Sequence, residues 1–192
     1  KSIAAATARD RVTNLFGQHV SPQVVERLLA EGTSTASDTR RVAVMFIDFR
    51  SFTAAARVHS PQEVVDRLDG AFGVLVEIVD RHGGIVNKFM GDGFLALFGA
   101  PFETPDATQH AVAAAREMLV AMTRDNERNS WPLRIGMGLH FGDVVAGSVG
   151  SPRRKEYTVI GDTVNFASRL ESLNKEFNSQ FLISAVVREA LG

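Results

Sequence analysis

Six consecutive apolar residues, Val42-Ala43-Val44-Met45-Phe46-Ile47, run without a polar break and end on a carboxylate, Asp48. Side chains alternate between the two faces of a strand, so an apolar run without alternation predicts a strand buried on both. The segments after it fit a sheet built around this strand. Ser60-Pro61 reads as the N-cap and first-turn proline of a helix carrying Val64, Val65, Leu68, Phe72, Leu75 and Val76, which Gly83-Gly84 ends. Residues 85–90 and 94–98 are apolar strands separated only by Gly91-Asp92-Gly93, which predicts a hairpin. A second long helix is expected over 105–124, and strands over 133–140, 142–150 and 157–160. A helix over 162–177, a short strand over 181–183 and a helix over 184–191 complete the chain. The order β-α-β-β-α-β predicts an α+β fold of the ferredoxin-like type. Its sheet is mainly antiparallel, with helices packed on one face and extra C-terminal elements.

Charge and composition exclude several functions. With 21 basic and 22 acidic residues the net charge is -1, leaving no global field to draw in nucleic acid or an anionic membrane. A chain without cysteine has no disulfide scaffold, thiolate zinc site or cysteine nucleophile, and it fits a reducing compartment. No apolar run reaches the ~18 residues of a membrane span, and no signal peptide leads the chain. Before residue 41 the pattern differs. Residues 1–20 read as an Ala-rich helix, Ser21-Pro22 opens a short helix through Val24, Val25, Leu28 and Leu29, and residues 31–40 form a small, polar linker. This predicts a connecting arm at 1–40 and one domain at 41–192. The chain opens on Lys1 rather than Met and reads as trimmed at both ends.

Two carboxylates occupy conspicuous places: Asp48 at the end of the apolar strand and Asp92 in the hairpin turn. If those strands are neighbours, the pair converges at one sheet edge and suits Mg²⁺, which takes one or two protein carboxylates beside water and phosphate. The alternative is that Asp48 caps a turn and Asp92 merely serves the hairpin, since Asp-Gly favours turns. Lys88, near the end of the preceding strand, reads equally as a solvated edge charge. Asn165 and Arg169 are four apart and share one helix face, which an amphipathic helix would also produce.

Three blocks together resemble the catalytic domain of the class III nucleotidyl cyclases: Phe46-Ile47-Asp48-Phe49-Arg50-Ser51-Phe52-Thr53, Lys88-Phe89-Met90-Gly91-Asp92-Gly93, and the run from Tyr157 to Glu171. Leu15-Phe16-Gly17-Gln18-His19-Val20-Ser21-Pro22 is similar to the transducing segment that often precedes bacterial members. The resemblance implies that Asp48 and Asp92 hold two Mg²⁺ or Mn²⁺ ions, with the Phe49 carbonyl as a further ligand. It implies that Lys88 and Thr158 select the purine, Lys going with ATP where guanylyl cyclases tend to carry Glu. The Lys/Thr pair is typical of a bacterial subgroup that is often bicarbonate-responsive. Asn165 would orient the ribose and Arg169 stabilise the transition state, while Arg50, Ser51, Phe52 and Thr53 form the loop that approaches the phosphates. The implied reaction turns ATP into 3′,5′-cyclic AMP and pyrophosphate, in sites shared head-to-tail across a homodimer. An upstream sensor would govern it in the cytoplasm, any membrane anchor lying upstream as well.

Three positions depart from the family pattern. Ser51 stands where Gly is common, Asp143 where some cyclases place a phosphate-binding Arg, and the chain stops before a usual final hairpin with its polyphosphate Lys. Arg153, Arg154 and Lys155 form a basic cluster nearby in sequence, which a solvated loop explains for most of it. Two rival classes remain. A diguanylate cyclase would show Glu after Asp92, where this chain has Gly93. A non-catalytic dimerising module usually loses a metal Asp or the Arg, and both are kept here.

Overall fold

A computed structural model describes residues 20–31 and 37–192. The helix expected over 1–20 lies outside them apart from Val20, as does half of the expected linker. The described part opens with α1 (Pro22–Glu31), β1 (Asp38–Phe49), the short α2 (Phe52–Ala56) and α3 (Pro61–Arg81). The hairpin β2 (Ile85–Met90) and β3 (Gly93–Phe98), α4 (Ala107–Glu127), β4 (Ile135–Ser151) and β5 (Arg154–Ile160) come next. The chain closes with α5 (Asp162–Phe177), β6 (Phe181–Ile183) and α6 (Ala185–Leu191).

The strands form one sheet in the order β2-β3-β1-β4-β5, with β6 alongside β4. Every pairing is antiparallel except β4 with β6. The β-α-β-β-α-β core is therefore present in the ferredoxin-like order, and β1 is central as its apolar run requires. Ala43, Met45, Ile47 and Phe49 face α3 and α4, against Leu75, Ile78, Ala111, Ala115 and Met118. Val42 and Val44 face the other way, into a second cluster with Leu95, Leu97, Val144, Tyr157 and Val159. That second face is not bare: Val24 of α1 and Ala167 of α5 cover it. Helices thus pack on both faces, not on the one expected, because a central strand buried on both sides needs cover on both.

Two boundaries also move. The strands expected at 133–140 and 142–150 are a single strand, β4, because Gly142 keeps its place opposite Val42 in the ladder. Strand β1 begins at Asp38, within the expected linker, where Thr39 and Arg40 pair with Val145 and Val144. Helix α1 is as expected a short helix opened by Ser21, but it is docked: Val24 is buried, and Arg27 reaches the Pro101 carbonyl and sits 3.5 Å from Asp38. The Ser60 prediction holds in full. Its side chain accepts from the Glu63 amide at 3.3 Å, while Glu63 accepts from the Ser60 amide at 2.7 Å, a reciprocal cap on α3.

Candidate active site

Pairing register decides where Asp48 goes. It lies opposite Gly93 on β3 and Gly136 on β4, so neither neighbouring strand sets a side chain beside it. The β2–β3 turn is stitched to the same strand end, since the Phe49 amide donates to the Asp92 carbonyl at 3.1 Å. Asp48 and Asp92 therefore converge, close enough to hydrogen-bond through their carboxyl groups. Burial, then this hydrogen bond and the Asp92 charge, push the Asp48 carboxyl up to about 7. Glu171 adds to the rise and Arg50 opposes it. Two carboxylates this close are in electrostatic conflict when both are charged, which a cation between them removes. Hard oxygen donors at a strand end, beside the Phe49 carbonyl position, suit Mg²⁺ or Mn²⁺ chemically.

A second pair forms at the sheet's outer strands. Although β2 and β5 are at opposite ends of the strand order, the sheet curls until they meet. The Asn87 side-chain amide donates to the Tyr157 carbonyl at 2.7 Å, and Lys88 Nζ lies 3.1 Å from a Glu156 carboxylate oxygen. Each bridge involves a neighbour of the next: Asn87 and Lys88 on β2, Glu156, Tyr157 and Thr158 on β5. Lys88 and Thr158, 70 residues apart, are thereby brought to one place.

The third pair is on α5. Thr163, Ala167 and Asn174 are its buried positions, while Asn165 and Arg169 are exposed. At ~100° per residue these two lie roughly opposite Ala167, on the side away from the sheet. Within one protomer they therefore face away from the Asp48 end of β1, where Glu171 of the same helix is turned inward.

The loop after Asp48 divides. The Arg50 amide donates to the Arg134 carbonyl at 2.7 Å, and its guanidinium is buried against Glu171. Phe52 is a core residue, its ring stacked on Trp131 with centroids 5.1 Å apart. Ser51 and Thr53 remain exposed. Ser51 has φ 56 and ψ 19, the left-handed region, which explains why glycine suits this position. Asp143 is exposed and 3.8 Å from Arg41, and Arg153 and Arg154 sit at the β4–β5 tip, far along β4 from Gly136. Reading the sequence singled out none of Asn87, Glu156 and Glu171. Asn87 is the polar break in an apolar strand and so had a signal; Glu171, whose partner Arg50 is far along the chain, and exposed Glu156 had none.

A family model described as the adenylate and guanylate cyclase catalytic domain matches residues 34–191. The chain belongs to that family. An uncharacterised protein of Mycobacterium tuberculosis is 40% identical over 189 residues, 98% of this chain and 34% of that protein. The cyclase domain thus spans about a third of the length of the curated relatives it matches. Among solved structures, the guanylyl cyclase Cya2 is 36% identical with a TM-score of 0.75, covering 81% of this chain and 80% of that one. The adenylyl cyclase CyaB from P. aeruginosa is 28% identical with a TM-score of 0.69, covering 81% and 82%. Similarity therefore reaches cyclases of both nucleotides, and no described helix of this cyclase domain is long and apolar enough to cross a membrane.

Proposed function

We propose that this cyclase domain is an adenylate cyclase, forming 3′,5′-cyclic AMP and pyrophosphate from ATP in two sites shared across a head-to-tail homodimer. The observation that carries the reading is the division of candidate residues within one protomer. Asp48 and Asp92 converge at one strand end, while Asn165 and Arg169 face away from them on α5. A second copy supplies what each cluster lacks, and two-fold symmetry then completes two sites.

Asp48 and Asp92, with the Phe49 carbonyl, would hold two Mg²⁺ or Mn²⁺ ions. Bound there, such ions would acidify the ribose 3′-hydroxyl and neutralise the departing phosphates. In the reaction the 3′-oxygen forms a bond to the α-phosphorus, the bond to the departing pyrophosphate breaks, and the hydroxyl proton passes to solvent. Arg169 offers a forked guanidinium to the oxygens on which charge accumulates, and Asn165 on the same face can hold the ribose. Lys88 can donate to adenine N1, and Thr158 can accept from the exocyclic amine. Ser51 and Thr53 line the phosphate loop, with Arg50 and Phe52 as its internal supports. The reading sets the reaction in the cytoplasm, where ATP is available, under an upstream sensor for which the greater length of the relatives leaves room.

One arrangement favours GTP instead. Lys88 is held by Glu156, and a carboxylate at that point is the acceptor that the guanine N1–H and 2-amino group require; the similar Cya2 is itself a guanylyl cyclase. The dimer is therefore offered ATP or GTP with Mg²⁺ or Mn²⁺ and the product identified. Cyclic AMP as main product sustains the reading, whereas cyclic GMP at an equal or higher rate overturns it. Absence of turnover by an intact dimer would favour a regulatory module.

A further inference from the structure

Arg50 and Glu171 form a pair whose placement goes beyond a supporting contact. Arg50 comes directly after the strand that ends in Asp48 and Phe49, and Glu171 lies on α5. The guanidinium donates to the Glu171 carbonyl at 2.9 Å and pairs with its carboxylate at 2.8 Å, both side chains being only 12% exposed. Strand β4 is cut back to receive them. A side chain at Gly136 would collide with the Arg50 guanidinium, and one at Gly138 with the α5 backbone at Ala167 and Glu171. Helix α5 thus rests directly on β4 and is pinned by one arginine to the end of β1.

Stability is a weak reason for this arrangement. Replacing a buried ion pair with apolar side chains of similar volume is often neutral or stabilising. Here, moreover, Arg50 Nε and Nη1 are buried without a hydrogen-bond acceptor among the described residues, which costs free energy. What the pair does achieve is geometric. It ties the strand bearing Asp48 to the helix bearing Asn165 and Arg169.

We propose that Arg50 and Glu171 are positioning residues that hold these two half-sites of one protomer as a single rigid unit, mechanically coupling the two active sites of the dimer. This rests on the shared-site reading, in which Asp48 serves one site and Arg169 of the same chain serves the other. A residue that joins them acts on both sites at once.

The test uses differently tagged heterodimers of Asp48→Ala and Arg169→Ala chains, which contain one complete site. Recovery of activity over either parent homodimer supports the shared-site reading; no recovery overturns it and the coupling with it. The double substitution Arg50→Met with Glu171→Leu, chosen to keep the fold, is then placed in one chain or the other. Arg50→Lys, which keeps the charge but loses the fork, is placed likewise. The Glu171 carbonyl retains the Asn174 side-chain amide at 3.1 Å as donor. Displacement of reacting groups costs on the order of 10- to 100-fold in rate. The expected result is a kcat loss of that size in both placements, with KM within about twofold and the melting temperature unchanged. A loss confined to one placement, no loss, or a loss that tracks melting temperature for both variants overturns the proposal.

Discussion

At the scale of single residues, Asp48 shows most directly how a proposed metal-binding role conflicts with stability. Its folded carboxyl titrates near 7, against ~3.9 in an unfolded chain, so between these values the folded state binds more protons. Its contribution to stability is thus full below about pH 4 and lost as pH rises through 7. Asp48→Asn removes that loss. The metal-free variant should melt a few degrees above the parent at pH 8, match it near pH 4, and have no cyclase activity; identical melting curves at pH 8 would disprove the conflict. Ser51 carries a strain of a different origin. A left-handed non-glycine residue costs roughly 1 kcal/mol, so Ser51→Gly should stabilise by about that amount in a urea melt. Arg169→Ala should lower kcat by ~10²–10³ and leave KM nearly unchanged, as for loss of one preorganised donor. A raised KM with normal kcat would reassign Arg169 to ground-state binding.

Elements differ in how much of them the sequence discloses. Helix α3 was legible end to end, because Ser60-Pro61 writes its start and Gly83-Gly84 its stop; Ser60→Ala should cost about 1 kcal/mol in a denaturant melt. Strand β1 was legible from its apolar run, but its first residues were not, since Asp38, Thr39 and Arg40 look like linker until β4 pairs with them. The break placed near Gly142 failed for a related reason: a glycine is a local signal, and a partner strand can override it. Asp48 and Asp92 could be paired once the β-α-β-β-α-β order set the hairpin beside β1. Lys88 and Thr158 were joined only by the family resemblance, because their meeting depends on the curl of the whole sheet, which no local window contains. The same limit hid Glu171, whose partner lies 121 residues away.

For the whole molecule, the proposed shared site rests on one chain carrying Asp48 and Asp92 at a strand end while Asn165 and Arg169 face another way on α5. Its length and near-neutral charge gave no hint of this, since a polyanionic substrate handled by bound cations and a few placed side chains needs no global field. The curl that brings β2 to β5 has a further consequence for the chain's behaviour in a crowded solution. An open sheet normally leaves two outer strands whose free amides and carbonyls can recruit another molecule. Here those strands shelter one another where Asn87 grips the Tyr157 carbonyl, with apolar Phe89, Met90 and Ile160 exposed close by. Asn87→Ala should therefore show itself first as light scattering during refolding, at concentrations where the parent stays clear. If the variant refolds without scattering, the edges are protected by something other than this contact. If scattering is seen, the residue beside Lys88 guards the chain against aggregation as well as bordering the candidate site.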